Sequence, residues 1–351
     1  MQKTKEELRK LIDSYKDSLE FWKKSLYSEG EDTVVKAAEV AEPLQEMSKL
    51  AALIKAHTTK VGIIFKPESL KSLTNAAFDV LKSLSDTEYL IISVLAQLKP
   101  VILSQIFYDE ICDTNKLILQ SSYSFAIELL DIFDGLNDNN ESDEENKNGI
   151  DKRLVSVGQI WGHCDELVKL LKGGNLGLLS SKIKQSILLI EDGFDEFEEW
   201  ANDPQDIDDG DPFGFSDDES LEEDQGSSLS LDSPGDSSES KKELIEFSKK
   251  WVQKIKLVKL LLSSLVKSLP SVPKGEVVDK IYLDQKKLVS YIDKLIVDLM
   301  LNQTVDVEAR DIERNINRIC TKLLKSIKEI NKSNETKIRW CSAWESKFNE
   351  Q

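Results

Sequence analysis

The chain carries two histidines, His57 and His163, and four cysteines, Cys112, Cys164, Cys320 and Cys341. Any His-based catalysis or metal binding must pass through one of those two imidazoles. His163 and Cys164 are neighbours in sequence, and neighbouring side chains on a helix point about 100° apart, which is not ligand spacing. A Cys–His nucleophile pair would need hydrogen-bond reach and a third group to orient the base, and no spacing here supplies them. Gly173-Gly174-Asn175-Leu176-Gly177 precedes a helical pattern, but it lacks a preceding strand and a following Lys-Ser/Thr. It reads as a helix terminator and tight turn, not a phosphate loop. With 64 acidic residues in the chain, a carboxylate pair carries little information. The sequence therefore predicts no catalytic residue, no metal site and no cofactor, and a protein that is not an enzyme. The widely spaced cysteines read as free thiols of a reducing compartment.

Charge is the next chemistry to place. Against 46 Lys+Arg, the 64 Asp+Glu give a formal net charge of -18. Between Gln185 and Ser240 lie 20 acidic residues and no Lys or Arg, whereas residues 241–351 hold 23 basic and 15 acidic. Phosphate binding needs a net positive face, so direct nucleic-acid binding is not expected. Two local basic features stand out. Lys249, Lys250, Lys254, Lys256 and Lys259 flank the apolar stripe Phe247–Trp251–Ile255–Val258–Leu262, a basic amphipathic helix of the kind that docks on anionic membranes or calcium sensors. Arg310, Arg314 and Arg318 step by four, with Asp306 placed to pair with Arg310, and read as an intramolecular ion ladder. Within the acidic stretch, Phe213, Phe215 and Leu221 form a candidate docking motif. Ser216 and Ser220 precede acidic triplets or pairs, which suits an acidophilic Ser kinase of the casein kinase II type.

These residues must be positioned by helices. Thr4 and Glu7 have capping-box spacing, and Leu8, Leu11, Tyr15, Leu19 and Trp22 follow at steps of three or four. The same periodicity predicts a short helix from Val34 to Glu42 and further helices opening at Pro43, Pro67 and Pro100. A break or bend is expected at Ser85-Asp86. Stripes continue through Ile150–Leu171, Leu176–Phe197, Leu244–Leu269, Val277–Leu299, Ile312–Ile330 and Ile338–Phe348. Period-two alternation is absent, so the expected fold is all-α: two antiparallel bundles, about five helices in the first, joined by a disordered acidic linker. The expected division is an N-terminal helix in 1–30, packing on the C-terminal bundle, a first bundle in 31–202, a linker in 203–240 and a second bundle in 241–351. Trp161 and Trp251 are expected in cores. No apolar run reaches the ~18 residues of a membrane span, and no signal peptide opens the chain.

An all-helical chain interrupted by an acidic segment resembles the cyclin D-binding protein family, which includes Grap and cyclin D interacting protein. Ile160-Trp161-Gly162-His163-Cys164 is similar to that family's Trp-x-x-Cys helix. Ile190-Glu191-Asp192-Gly193-Phe194-Asp195-Glu196-Phe197-Glu198-Glu199 resembles its acidic helix before the linker. Gly214-Phe215 followed by Ser216-Asp217-Asp218 resembles the linker itself, and Lys254-Ile255-Lys256 and Val277-Val278-Asp279 fall where comparable runs follow it. The resemblance implies two helical bundles and an adaptor for cyclin-like and helix-loop-helix partners, acting negatively on cell-cycle progression and transcription in cytoplasm and nucleus. Two other functions compete with it: a vinculin- or talin-like cytoskeletal adaptor, and a membrane-surface protein using the basic helix.

Overall fold

The computed structural model describes residues 3–25, 35–99, 103–135, 151–202, 236–269 and 274–351. Among them the chain is all-α, with ten helices and no strand. The helices are α1 (Lys5–Ser25), α2 (Pro43–Ile64), α3 (Pro67–Leu70), α4 (Thr74–Gln97), α5 (Gln105–Gly135), α6 (Lys152–Asn202), α7 (Asp236–Val266), α8 (Gly275–Asn302), α9 (Val307–Ile330) and α10 (Glu335–Glu350).

The chain divides into two compact units, one of residues 1–178 with 274–276 and the other of residues 179–273 with 277–351. In the first, α1 opens with the reciprocal cap its sequence foretells: Glu7 N–H donates to Thr4 Oγ1 at 3.1 Å and Thr4 N–H to Glu7 Oε2 at 2.8 Å. Leu8, Ile12, Tyr15 and Leu19 then lie buried on one face. That face packs on α4 and α5, and Arg9 pairs with Asp134 at 2.9 Å. The N-terminal helix is therefore a stave of the first unit, not of the C-terminal half, because its apolar stripe is spent on the same core as Leu81, Ile92, Ile118 and Phe125.

Three local expectations are corrected. Residues 35–42 are not helical. Ser93 Oγ donates to the Lys36 carbonyl at 2.6 Å, Ala38 N–H to the Ser93 carbonyl at 2.9 Å, and the Gln97 amide brackets Val40, donating to its carbonyl at 2.8 Å and accepting from its N–H at 3.1 Å. Tertiary hydrogen bonds thus replace those a helix would have made. By contrast α4 passes straight through Ser85-Asp86. There Lys82 pairs with Asp86 at 2.9 Å, and Ser83 and Thr87 turn their hydroxyls back onto the Asp79 and Ser83 carbonyls. Finally, the first unit ends at Leu178 rather than at 202. Four residues earlier, Gly174 has φ 59°, ψ -164°, a left-handed value that interrupts α6 and that glycine adopts without a Cβ penalty.

The second unit comprises the end of α6 together with α7, α9, α10 and most of α8. Its core gathers Phe194, Phe197, Leu244, Trp251, Ile255, Leu262, Ile292, Leu295, Ile316, Leu323 and Trp344. Asp306 and Asn334 cap α9 and α10, accepting from Ala309 N–H at 2.8 Å and Lys337 N–H at 3.2 Å. Phe213, Phe215, Leu221, Ser216 and Ser220 lie outside the described residues. The stretch 203–240 expected as linker overlaps α7, which begins at Asp236.

Candidate interaction surface

The first unit buries polar groups at the junction of three helices. Glu88 of α4 is fully buried, its Oε1 accepting from Ser122 Oγ at 2.5 Å. Its Oε2 and the Tyr15 hydroxyl are buried without a partner of hydrogen-bonding geometry. Burial pushes the Glu88 carboxyl up to about 7, opposed by Ser122 and Tyr15. Burial, and then the Glu88 charge, push Tyr15 well above its ordinary value. The trio of Tyr15, Glu88 and Ser122 sits where α1, α4 and α5 meet. Cys164 is buried and pushed up to about 12, chiefly by desolvation, which disfavours its thiolate form. His163 contacts Glu166 at 3.4 Å on the surface of α6, and His57 is held below its usual value by burial, then by Lys60. No group of three or more His, Cys, Asp or Glu among the described residues could hold a metal ion. All four cysteines are free.

Trp251 is fully buried, but Trp161 is 38% exposed. The buried positions in that part of α6 are Val157, Ile160, Cys164 and Leu167, and Leu154 is exposed as well. The helix is therefore turned by about one position relative to the sequence reading. Trp161 instead lies beside Lys55, whose amine is 6.0 Å from the ring centre and 2.6 Å from Asp165.

The basic helix is occupied from within. Lys250 pairs with Glu313 at 3.1 Å, Lys256 with Glu198 at 2.6 Å and Lys259 with Glu191 at 3.0 Å. Lys254 is buried, 5.3 Å from the Trp251 ring centre and 4.8 Å from that of Phe348, with Glu313 at 3.8 Å. Burial, and then the Lys250 charge, hold its amine below the ordinary value, with Glu313 opposing. Of the five lysines Lys249 and Lys256 are exposed, and Lys256 is held by Glu198. A membrane or calcium sensor would have to break these pairs. The arginine ladder also differs from expectation. Asp306 is engaged as the α9 cap, so Arg310 pairs with Glu243 at 2.7 Å and stacks 4.6 Å from the Phe247 ring centre, while Arg314 pairs with Asp311.

Among the described residues, each unit carries an open surface with apolar lining. In the first, a cleft of ≈ 600 Å³ is lined by Pro43, Leu44, Leu98, Leu103 and Leu171, with Gln97 and Lys99 among its polar walls. In the second, α6 after Gly174 turns Gln185, Leu188, Asp192, Asp195 and Glu199 outward at alternating steps of three and four. Leu188 and Leu189 are 64% and 65% exposed. Together with Gln185, Glu191, Asp192 and Asp195 they line a shallow groove of ≈ 700 Å³. The inward stripe of Ile183, Ile190, Phe194 and Phe197 had been legible, but this outward one had not. Its signal is the unbroken run Ile187-Leu188-Leu189-Ile190, because four consecutive apolar residues wrap the whole helix and exceed what one buried face can use.

Residues 46–203 match the family described as Grap2 and cyclin-D-interacting, N-terminal. The matched segment begins in α2 and takes in the whole of α6, including the leucine face. The chain is also similar to an uncharacterised protein of Saccharomyces cerevisiae, at 26% identity over 325 residues, covering 88% of this chain and 86% of the yeast protein.

Proposed function

We propose that the chain, which belongs to the Grap2 and cyclin-D-interacting family through its N-terminal domain, is a non-enzymatic protein-interaction adaptor. Its partners on this reading are cyclin-type or helix-loop-helix regulators, and it acts negatively on cell-cycle progression and transcription. The family match over residues 46–203 carries the reading. The physical character of the molecule supports it: its buried titratable groups are enclosed in cores, while its outward features are helix faces suited to other helices. The direct test is titration calorimetry of the full chain against a purified D-type cyclin and a purified helix-loop-helix dimer. Micromolar or tighter binding of either supports the adaptor role, and heat-silent mixing with both removes it.

On the same reading, Ser216 and Ser220 are targets of an acidophilic Ser kinase. Phosphopeptide mass spectrometry that covers residues 203–235 and returns only unmodified serines would count against this. The protein is expected in both cytoplasm and nucleus, and imaging of a tagged chain confined to one compartment would contradict that expectation.

A further inference from the structure

Among the described residues of its own unit, the outward face of α6 beyond Gly174 is left exposed, and it has a defined chemistry. Leu188 and Leu189 are 64% and 65% exposed on a helix whose inward side already supplies Ile183, Ile190, Phe194 and Phe197 to the core. Around and below them run Asp192, Asp195, Glu196 and Glu199, all exposed. None of these four is ion-paired among the described residues; the lysines of α7 reach Glu191 and Glu198 instead. Lys184 lies one turn earlier, at the N-terminal end of the face. The surface therefore combines an apolar pair in a groove with a run of uncompensated carboxylates.

Charge decides among the occupants. The chain's own stretch from 203 to 235 has no Lys or Arg, so its charge is of the same sign as this face. A second copy presenting the same face would set carboxylates against carboxylates. Like charges opposed across an interface disfavour association, whereas opposite ones steer it. The geometry points to a partner protein's basic amphipathic helix, which places apolar side chains over Leu188 and Leu189 and Lys or Arg side chains against Asp192, Asp195, Glu196 and Glu199. This inference rests on the adaptor reading and specifies the surface and partner chemistry it would use. The positions are spaced for a helical partner: 185, 188, 192, 195 and 199 run along one line of the helix, as the anchors of a helix-in-groove contact do.

The test uses the full chain and a fluorescent synthetic helix of Leu and Lys as probe, with a second peptide in which every Lys is Glu. Fluorescence anisotropy should show the Lys peptide binding and the Glu peptide not. Leu188→Ser with Leu189→Ser should weaken binding by about 10- to 100-fold, as loss of central apolar anchors does. Leu188→Asp with Leu189→Asp is the sharper variant. It adds negative charge, so a contact made by electrostatics alone would tighten, whereas contact through the leucines must weaken. Equal or tighter binding by the Asp variant overturns the proposal, as does failure of the wild-type chain to bind the Lys peptide. Circular dichroism melts of both variants check that the exposed substitutions leave the fold intact. If a D-type cyclin or helix-loop-helix dimer binds wild type and both variants alike, this surface is wrong while the adaptor reading stands. If neither binds wild type, the adaptor reading fails on its own.

Discussion

Replacing Glu88 by Gln tests the physics of the first unit's core most sharply. The wild-type carboxyl is enclosed among α1, α4 and α5, with Ser122 donating to one oxygen at 2.5 Å and the other oxygen unpartnered beside Tyr15. Protonated, Glu88 can donate from that second oxygen to the Tyr15 hydroxyl; ionised, it is a buried charge without a cation. Its pKa rises from 4.5 to about 7, so the folded chain holds the proton more tightly than the unfolded chain does. Between those values the folded state binds more protons, and stability falls as pH rises. The loss is small below about 4.5, is complete above about 7, and totals ~3 kcal/mol at 1.36 kcal/mol for each pH unit between the two values. Gln keeps the shape and both hydrogen-bonding roles but cannot ionise. Denaturant melts read by hydrogen–deuterium exchange in α1, α4 and α5 should therefore show Glu88→Gln ahead of wild type by under ~1 kcal/mol at pH 5 and by ~3 kcal/mol at pH 8. Because every other titrating group is common to both proteins, the difference isolates this one. Parallel pH dependence of the two proteins would refute the reasoning.

Three further outcomes follow from the packing. Trp251→Ala should destabilise the second unit by ~3–5 kcal/mol, whereas Trp161→Ala, at a half-exposed ring, should cost well under half as much; thermal melts of both variants compare them. Glu313→Gln should cost ~3 kcal/mol, because it strips the carboxylate from buried Lys254 and its neighbour Lys250, while Lys254→Met should stay within ~1 kcal/mol of wild type. Urea denaturation measures both, and the opposite ranking would show that the ion pair is not what holds this region. Thiol-reagent kinetics at pH 7.5 should find half-buried Cys112 reacting first and Cys164 and Cys320 protected until unfolding, since burial raises their pKa and blocks access.

The sequence carried the local rules and lost the tertiary ones. The Thr4–Glu7 cap and the stripes of α1, α7 and α9 were legible because each depends only on residues within a turn or two. The non-helical run 35–42 was not, because Ser93 and Gln97, which bond to Lys36 and Val40, are 57 residues distant and leave no mark on its own apolar pattern. Ser85-Asp86 looked like a break, yet helix-internal hydroxyl bonds and the Lys82–Asp86 pair accommodate polar residues there without ending α4. The lysines of α7 looked like a free face because the acidic partners of four of them, Glu191, Glu198 and Glu313, lie on other helices. The Ile187-Leu188-Leu189-Ile190 run carried the candidate surface in plain view, but its surplus of apolar residues shows only when the inward face is known.

On the proposed function, this chain works by holding regulatory proteins on its helical surfaces. Quantitative affinity purification from cells, comparing the tagged wild-type chain with its Leu188→Asp/Leu189→Asp variant, tests it most directly. The prediction is that cyclin-type or helix-loop-helix proteins co-purify with wild type and fall at least about 10-fold with the variant. Recovery of neither class with wild type would contradict the claim.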